Sequence, residues 1–256
     1  MKPIMLAAGL IAATLLCAAT QARGVVPDHS ITNAVADPAR PDADRARDAD
    51  RKPVESLAFA GVHPGEKVAE LLPGSGYFTR LFSLVVGPKG KVYALARPRP
   101  AQAAADAPDP AASIQAIAAD PHYANNVAVS TMSTKELSLP EPVDLVWTSQ
   151  NYHDLHNIPN LEVVDFDKAV FGALKPGGVF IVLDHVAAAG SGFRDTSTLH
   201  RIDPEAVKKE VESAGFRFEG MSAVLHNAAD DHTLKVFDPA IRGKTDQFIL
   251  KFRKPK

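Results

Sequence analysis

The stretch Val68–Thr79, VAELLPGSGYFT, decides how this chain folds. Val68 to Leu72 is a short apolar run broken by Glu70. Pro73-Gly74-Ser75-Gly76 ends it, and a second run at Phe78, Leu81, Phe82 and Val85 has the spacing of a helix face. The unit reads as strand, tight loop, helix. Such a loop brings backbone N–H groups and a helix N-terminus to the carboxyl edge of a sheet, where a nucleotide-like ligand lies against bare backbone.

Outward from this unit the alternation repeats. Gly87-Pro88-Lys89-Gly90 turns into a strand at Lys91–Ala96, and RPRPAQAAADAPDPAAS reads as an irregular crossover before a short helix at Ile114–Ala119. Asn126–Met132 alternates as a third strand, and Val143–Thr148, VDLVWT, suits a strand buried on both faces. Phe166–Leu174 predicts a helix that stops at Lys175-Pro176-Gly177-Gly178, followed by a fifth strand at Val179–Leu183. Pro204–Ala214 reads as a helix with Asp203 as N-cap and Gly215 as its stop. Phe216–Leu225 and Gln247–Phe252 make a last strand pair, joined by a connection of about twenty residues, long enough to point to function. The pattern predicts an α/β fold, an open, mostly parallel sheet with helices on both faces.

Toward the N-terminus, Lys2 precedes an apolar run from Ile4 to Ala19, and Thr20-Gln21-Ala22 offers small residues where a signal peptidase reads. Residues 1–22 are therefore expected to be a secretory signal peptide. A membrane anchor and a lipoprotein at Cys17 are the alternatives. Cleavage after Ala22 would remove the only cysteine and leave no membrane anchor, giving a periplasmic or secreted protein. Residues 23–53 form an extension, loosely ordered over Val25–Asp37. Its charged segment PDADRARDADRK then reads either as a solvated helix or as a lid, with Arg45, Asp48 and Arg51 turned toward the ligand site. Residues 54–256 form the α/β domain. The net charge of −2, with both signs interspersed, leaves no nucleic-acid footprint.

The order of these pieces resembles the class I S-adenosylmethionine-dependent methyltransferase family over residues 54–253. Glu70-Leu71-Leu72-Pro73-Gly74-Ser75-Gly76 matches its acidic strand end and GxGxG loop, with Leu72 in place of the first glycine. Leu174–Gly178 matches its LKPGG turn, and Ala214-Gly215-Phe216 its AGF step. More narrowly, the signatures QNYHDLH, DTSTLHRID and FDPAIRGKTDQF are similar to those of exported bacterial proteins described only as predicted methyltransferases. The resemblance implies a Rossmann-like, seven-stranded, mostly parallel sheet with an antiparallel last strand, and S-adenosylmethionine as cofactor. It places that cofactor against Glu70, Leu72, Pro73, Gly74, Ser75, Gly76, Tyr77, Asn151 and Tyr152. The family's acid at the end of the second strand, which grips the ribose, is missing, because Ala96 and Arg97 stand there. Arg97 and Arg99 suit a phosphate, so a nicotinamide-phosphate reductase is a further alternative.

Polar residues crowd the expected carboxyl ends of the fourth and fifth strands: Ser149 to His156, and Asp184-His185. Such density after buried strands implies a solvated or paired rim. A histidine beside a carboxylate is a sensible general base for methyl transfer, so His153 with Asp154, or His185 with Asp184, are the candidate catalytic residues. Structural histidines capping strand ends are the plain alternative. His153 and His156, with Asp154, Asp184 or His185, also offer divalent-metal ligands, but no HExxH or cysteine spacing supports them and no metal site is assigned. Gly190–Asp203 can fold back over the pocket, with Gly190 and Gly192 for mobility and Asp195, Thr196, His200 and Arg201 facing a small-molecule acceptor. His226–Thr245 is a second possible cover. S-adenosylmethionine is a cytoplasmic compound, so export sits uneasily with it. Three readings stay open: a small-molecule methyltransferase, a binding protein on a retired methyltransferase fold, and a metal-dependent enzyme.

Overall fold

The computed structural model describes residues 28–100, 102–104, 106–123 and 126–256. The expected signal peptide and Cys17 lie outside them. In chain order the elements are α1 (His29–Ala36), α2 (Asp42–Arg45), α3 (Asp48–Arg51), α4 (Pro53–Ala60), β1 (Lys67–Leu71), α5 (Tyr77–Val86), β2 (Lys91–Ala96), α6 (Ala112–Ala119), β3 (Val127–Thr131), β4 (Val143–Ser149), α7 (Tyr152–Leu155), α8 (Val163–Ala173), β5 (Leu174–His185), α9 (Pro204–Ser213), β6 (Arg217–Ser222) and β7 (Gln247–Arg253). The strands form one seven-stranded sheet in the order β3-β2-β1-β4-β5-β7-β6. β1 to β5 pair in parallel, and β7 runs antiparallel to both β5 and β6. The order reverses between β1 and β4, the switch point at which an open sheet leaves a crevice.

Alternation along the central strands fills two cores. Val68, Leu145, Trp147, Ile181 and Leu183 face α4 and α5, where Phe78 packs tilted and Phe82 edge-on against Trp147, with ring centroids 4.7 and 5.5 Å apart. Ala69, Leu71, Val146, Phe180 and Val182 face α8 and α9. Burial of both faces explains the near-continuous apolar reading of these strands. α9 is capped as the sequence implies, with Asp203 accepting from Glu205 N–H at 3.0 Å.

Two features of the extension differ from the sequence reading. Residues 29–36 form an ordered helix: Asp28 caps it through Ser30 N–H at 2.8 Å, and Ile31 and Ala34 are buried in the core. An N-cap followed by apolar residues at helical spacing carried that signal, hidden among turn-forming neighbours. The charged segment is two single-turn helices rather than one, ending at Lys52 with φ +40°. Arg40 is fully buried and grips Asp48 bidentately at 2.7 and 2.8 Å, so charges that read as solvated fix the extension in place.

Candidate active site

Glu70 shares the face of Val68 and so points toward α5, where Thr79 Oγ1 donates to it at 2.5 Å. It is buried, and burial raises its carboxyl to about 8, against the smaller pull of the Thr79 hydrogen bond and of Arg51 and Arg80. The loop that follows leaves backbone exposed. A Cβ at Gly74 would meet nothing within 4 Å, whereas one at Gly76 would overlap Ile117 Cδ1 and stand 3.0 Å from Ile114 Cδ1. Gly74 thus serves the cleft and Gly76 serves packing. Leu72, where the family has glycine, takes φ +50°. Asn151 Nδ2 donates to the Leu71 and Leu72 carbonyls at 3.4 Å, tying the loop to the end of β4. Gln150, next to it, has φ +60°. Two non-glycine residues held in this sparsely populated region on adjacent strand ends mark a site under constraint.

A cleft of about 420 Å³ lies over this edge, lined by Glu70, Leu72, Pro73, Gly74, Ser75 and Tyr77 from β1 and its loop, with Ala96, Arg97, Gln150, Asn151 and Asp154 opposite. Its roof is α3. Arg47 and Arg51 point into it, and Asp48 instead anchors the roof by accepting from Tyr77 Oη at 2.6 Å. Arg45 turns away to the carbonyls of Pro38 and Arg40. The lid face is therefore Arg47 and Arg51, four residues apart, and not Arg45 and Arg51. Burial, and then the neighbouring Arg47, lowers Arg51 to about 10.

Behind the roof lies a second chamber of about 450 Å³, lined by His185, Gln247, Phe237 and Arg242, which shares Arg47, Arg51 and Gln150 with the first. The shared wall is a hydrogen-bonded chain: Arg51 donates to Gln150 Oε1 at 3.0 Å, and Gln150 Nε2 donates to Gln247 Oε1 at 2.9 Å.

His153 stands 3.4 Å from its sequence neighbour Asp154, but its hydrogen bond goes to Asp184. Asp184, fully buried at the end of β5, bonds His153 rather than the ring of His185: Nδ1 of His153 lies 2.8 Å from Oδ1, and the His153 N–H donates to Oδ2 at 2.8 Å. Burial opposes charge on the His153 ring, yet the charge and hydrogen bond of Asp184 hold its pKa above the ordinary value. His153 Nε2 faces His200 Nδ1 at 3.3 Å and lines neither chamber. His185 does line the second chamber. Its Nδ1 sits 2.7 Å from Thr245 Oγ1, and burial lowers it to about 4, so it is a neutral ring at pH 7.

Three sequence-assigned residues stand elsewhere. Tyr152 is buried beneath the site with its hydroxyl on Asp167 and Glu210 at 2.8 and 2.9 Å, because α7 turns its apolar ring into the α8 and α9 core; it cannot touch a ligand in the cleft. His156 stacks on Phe193 at 4.0 Å, with its Nε2 3.1 Å from Glu210 Oε2, and is not among the contacts of His153. Arg201 is buried against Asp230 at 2.9 Å and bonds the carbonyls of Val186 and Leu234, and Asp203 accepts from Gly190 N–H at 2.8 Å. The expected flap over the pocket is thus pinned, not hinged. Arg47 and the sharing of Gln150 were not read from sequence; the i, i+4 spacing of Arg47 and Arg51 was the available signal.

No protein-family model matches the chain, and no curated protein does. Solved structures do share its architecture. An S-adenosylmethionine-dependent methyltransferase from Aquifex aeolicus has a TM-score of 0.57 at 19% identity, over 83% of this chain and 94% of its own. The chain has the class I methyltransferase fold. The [4+2]-cyclase SpnF carries the same fold, with a TM-score of 0.57 at 18% identity over 88% and 91% of the two chains. An arsenic(III) S-adenosylmethionine methyltransferase from Chlamydomonas reinhardtii has 0.54 at 17%, over 90% and 75%. A methyltransferase fold that hosts a cyclase fixes where the cleft lies and leaves the reaction to the site. Here the fold brings the β1 loop, the α3 roof and the β4 end together.

Proposed function

We propose that the protein is an S-adenosylmethionine-dependent methyltransferase for a small-molecule acceptor, with cofactor in the first chamber and acceptor in the second. The observation that carries this reading is that Glu70 and Arg51 both line the first chamber beside a bare-backbone loop. An amino-acid end needs an anion for its ammonium and a planar cation for its carboxylate; Arg51 supplies the cation, and Glu70 the anion once its proton has left. The fit is incomplete at the ribose, where β2 offers Ala96 and Arg97 and no acid. S-adenosylmethionine, when bound, supplies a sulfonium methyl group. The chain's own residues hold the acceptor, with neutral His185 facing it as proton acceptor and Thr245 fixing the ring. Transfer requires the chambers to communicate, so the Arg51–Gln150 hydrogen bond must part. Calorimetric titration with S-adenosylmethionine and S-adenosylhomocysteine tests the reading: micromolar binding that weakens at least tenfold in Gly74→Val is expected, and no binding at millimolar ligand overturns it.

We further infer export and kinship with the exported bacterial group. Lys2, the apolar run Ile4–Ala19 and the small residues to Ala22 support it. Among the described residues no helix is long and apolar enough to cross a membrane. Cell fractionation with N-terminal sequencing should find a chain beginning at Arg23 outside the cytoplasm; a cytoplasmic chain that retains residues 1–22 would refute export.

A further inference from the structure

The side chains of His153, Asp154 and His200 present three ligand atoms to one another. His153 Nε2 and His200 Nδ1 are 3.3 Å apart, His153 Nε2 and Asp154 Oδ1 3.4 Å, and His200 Nδ1 and Asp154 Oδ1 3.6 Å. In a tetrahedral zinc site, bonds of about 2.0–2.1 Å place neighbouring ligand atoms about 3.3 Å apart. The triangle already has that size. We propose that His153 Nε2, Asp154 Oδ1 and His200 Nδ1 form a mononuclear site for a divalent transition-metal ion of the zinc type, with Asp184 as its supporting carboxylate.

Several features of the surroundings agree with this use, while Arg97 stands 3.9 Å from the other oxygen of Asp154. Asp184 holds Nδ1 of His153, which fixes the ring and directs the lone pair of Nε2 into the triangle, the arrangement that commonly supports a metal-bound imidazole. His200 reaches the triangle from a backbone at φ +56°, in the left-handed region that few non-glycine residues occupy. Two imidazole nitrogens and one carboxylate oxygen suit zinc and its neighbours and leave a coordination position open. The triangle joins the two chambers: Asp154 lines the first, and His200 packs at 4.9 Å on Phe237, which lines the second. The donor set is not the His153/His156 pair that sequence spacing offers, since His156 is engaged with Phe193 and Glu210. It stands whether or not the first chamber takes S-adenosylmethionine.

The test uses the whole folded chain, stripped with chelator and titrated with Co²⁺ and Zn²⁺, read by visible absorption and by metal analysis after gel filtration. One equivalent should be retained. His200→Ala and Asp154→Ala, checked for folding by circular dichroism, should each weaken binding at least tenfold, and Asp184→Asn should weaken it 10- to 100-fold. His226→Ala serves as the off-site control, because His226 and His232 share Asp246 elsewhere on the surface, and it should change nothing. Retention of less than a tenth of an equivalent at 100 µM metal, unchanged affinity in His200→Ala and Asp154→Ala, or loss in His226→Ala alone would overturn the site. Cofactor titration of the same samples keeps this outcome separate from that of the methyl-transfer reading.

Discussion

One carboxylate holds both ends of residue 153: Asp184 takes the backbone N–H of His153 on Oδ2 and its ring Nδ1 on Oδ1, each at 2.8 Å. The ring's orientation is thereby set from the core. Asp184→Ala strands that ring and two backbone N–H groups in a buried place, and should cost about 3–5 kcal/mol by chemical denaturation. In metal-free protein the His153 ring should titrate above its ordinary value by NMR, and lower in Asp184→Asn, where only Asp154 is left to oppose burial.

Glu70 makes ligand affinity depend on pH. Its carboxyl is raised to about 8 in the empty cleft, so at pH 6 it is protonated, and a cationic amino group can pair with it only after the proton leaves. S-adenosylmethionine affinity should therefore rise about tenfold per pH unit from pH 6 and level off near 8. The stability contribution runs the other way. A folded-state value above the unfolded one gives stability that is fully present below about 4.5 and lost as pH rises to 8. Calorimetry from pH 6 to 9 checks the binding slope, which Glu70→Gln should flatten.

Gly74→Ala and Gly76→Ala should part company. Both glycines have positive φ, +59° and +84°, which costs an L-residue about 1–2 kcal/mol. At Gly76 the added methyl also meets Ile117 and Ile114, adding about 1–3 kcal/mol of overpacking. Thermal denaturation should rank Gly76→Ala as the less stable, while cofactor titration should find the larger loss of affinity per unit of stability in Gly74→Ala.

Tyr152→Phe should touch stability alone. Removal of the hydroxyl leaves Asp167 and Glu210 without its hydrogen bonds, and burial keeps the Asp167 carboxyl well above its usual range. A cost of about 1–3 kcal/mol follows from the lost buried partner. Cofactor affinity should be unchanged, and a tenfold loss at native-like stability would place Tyr152 in the cleft after all.

Arg51→Ala should open the wall between the chambers. With the guanidinium gone, Gln150 loses its partner at 3.0 Å and the cofactor carboxylate loses its cation. S-adenosylmethionine should bind 10- to 100-fold more weakly, the usual scale for a charged hydrogen bond of about 1.5–3 kcal/mol. Stability should fall by about 1–2 kcal/mol, since the guanidinium also lies over the Tyr77 ring at 4.7 Å.

Much of this molecule is written in short stretches of sequence. The near-continuous apolar runs VAELL and VDLVWT, the glycine loop after Glu70, and the cap and stop around Pro204–Ala214 each act within a few residues, where backbone sterics and hydrogen bonding decide the outcome. From them the α/β class and a cleft at the carboxyl edge of its sheet can be read. The pairing of side chains at that cleft was settled only by tertiary structure. His153 met Asp184 from 31 positions away and His200 from 47, and Arg51 met Gln150 across 99. Adjacent residues on a strand point to opposite faces, so the Asp184 carboxylate takes the backbone N–H of His185 at 2.8 Å while the His185 ring turns away to Thr245. Which distant partners converge depends on how loops pack over the sheet edge, and no local periodicity encodes that.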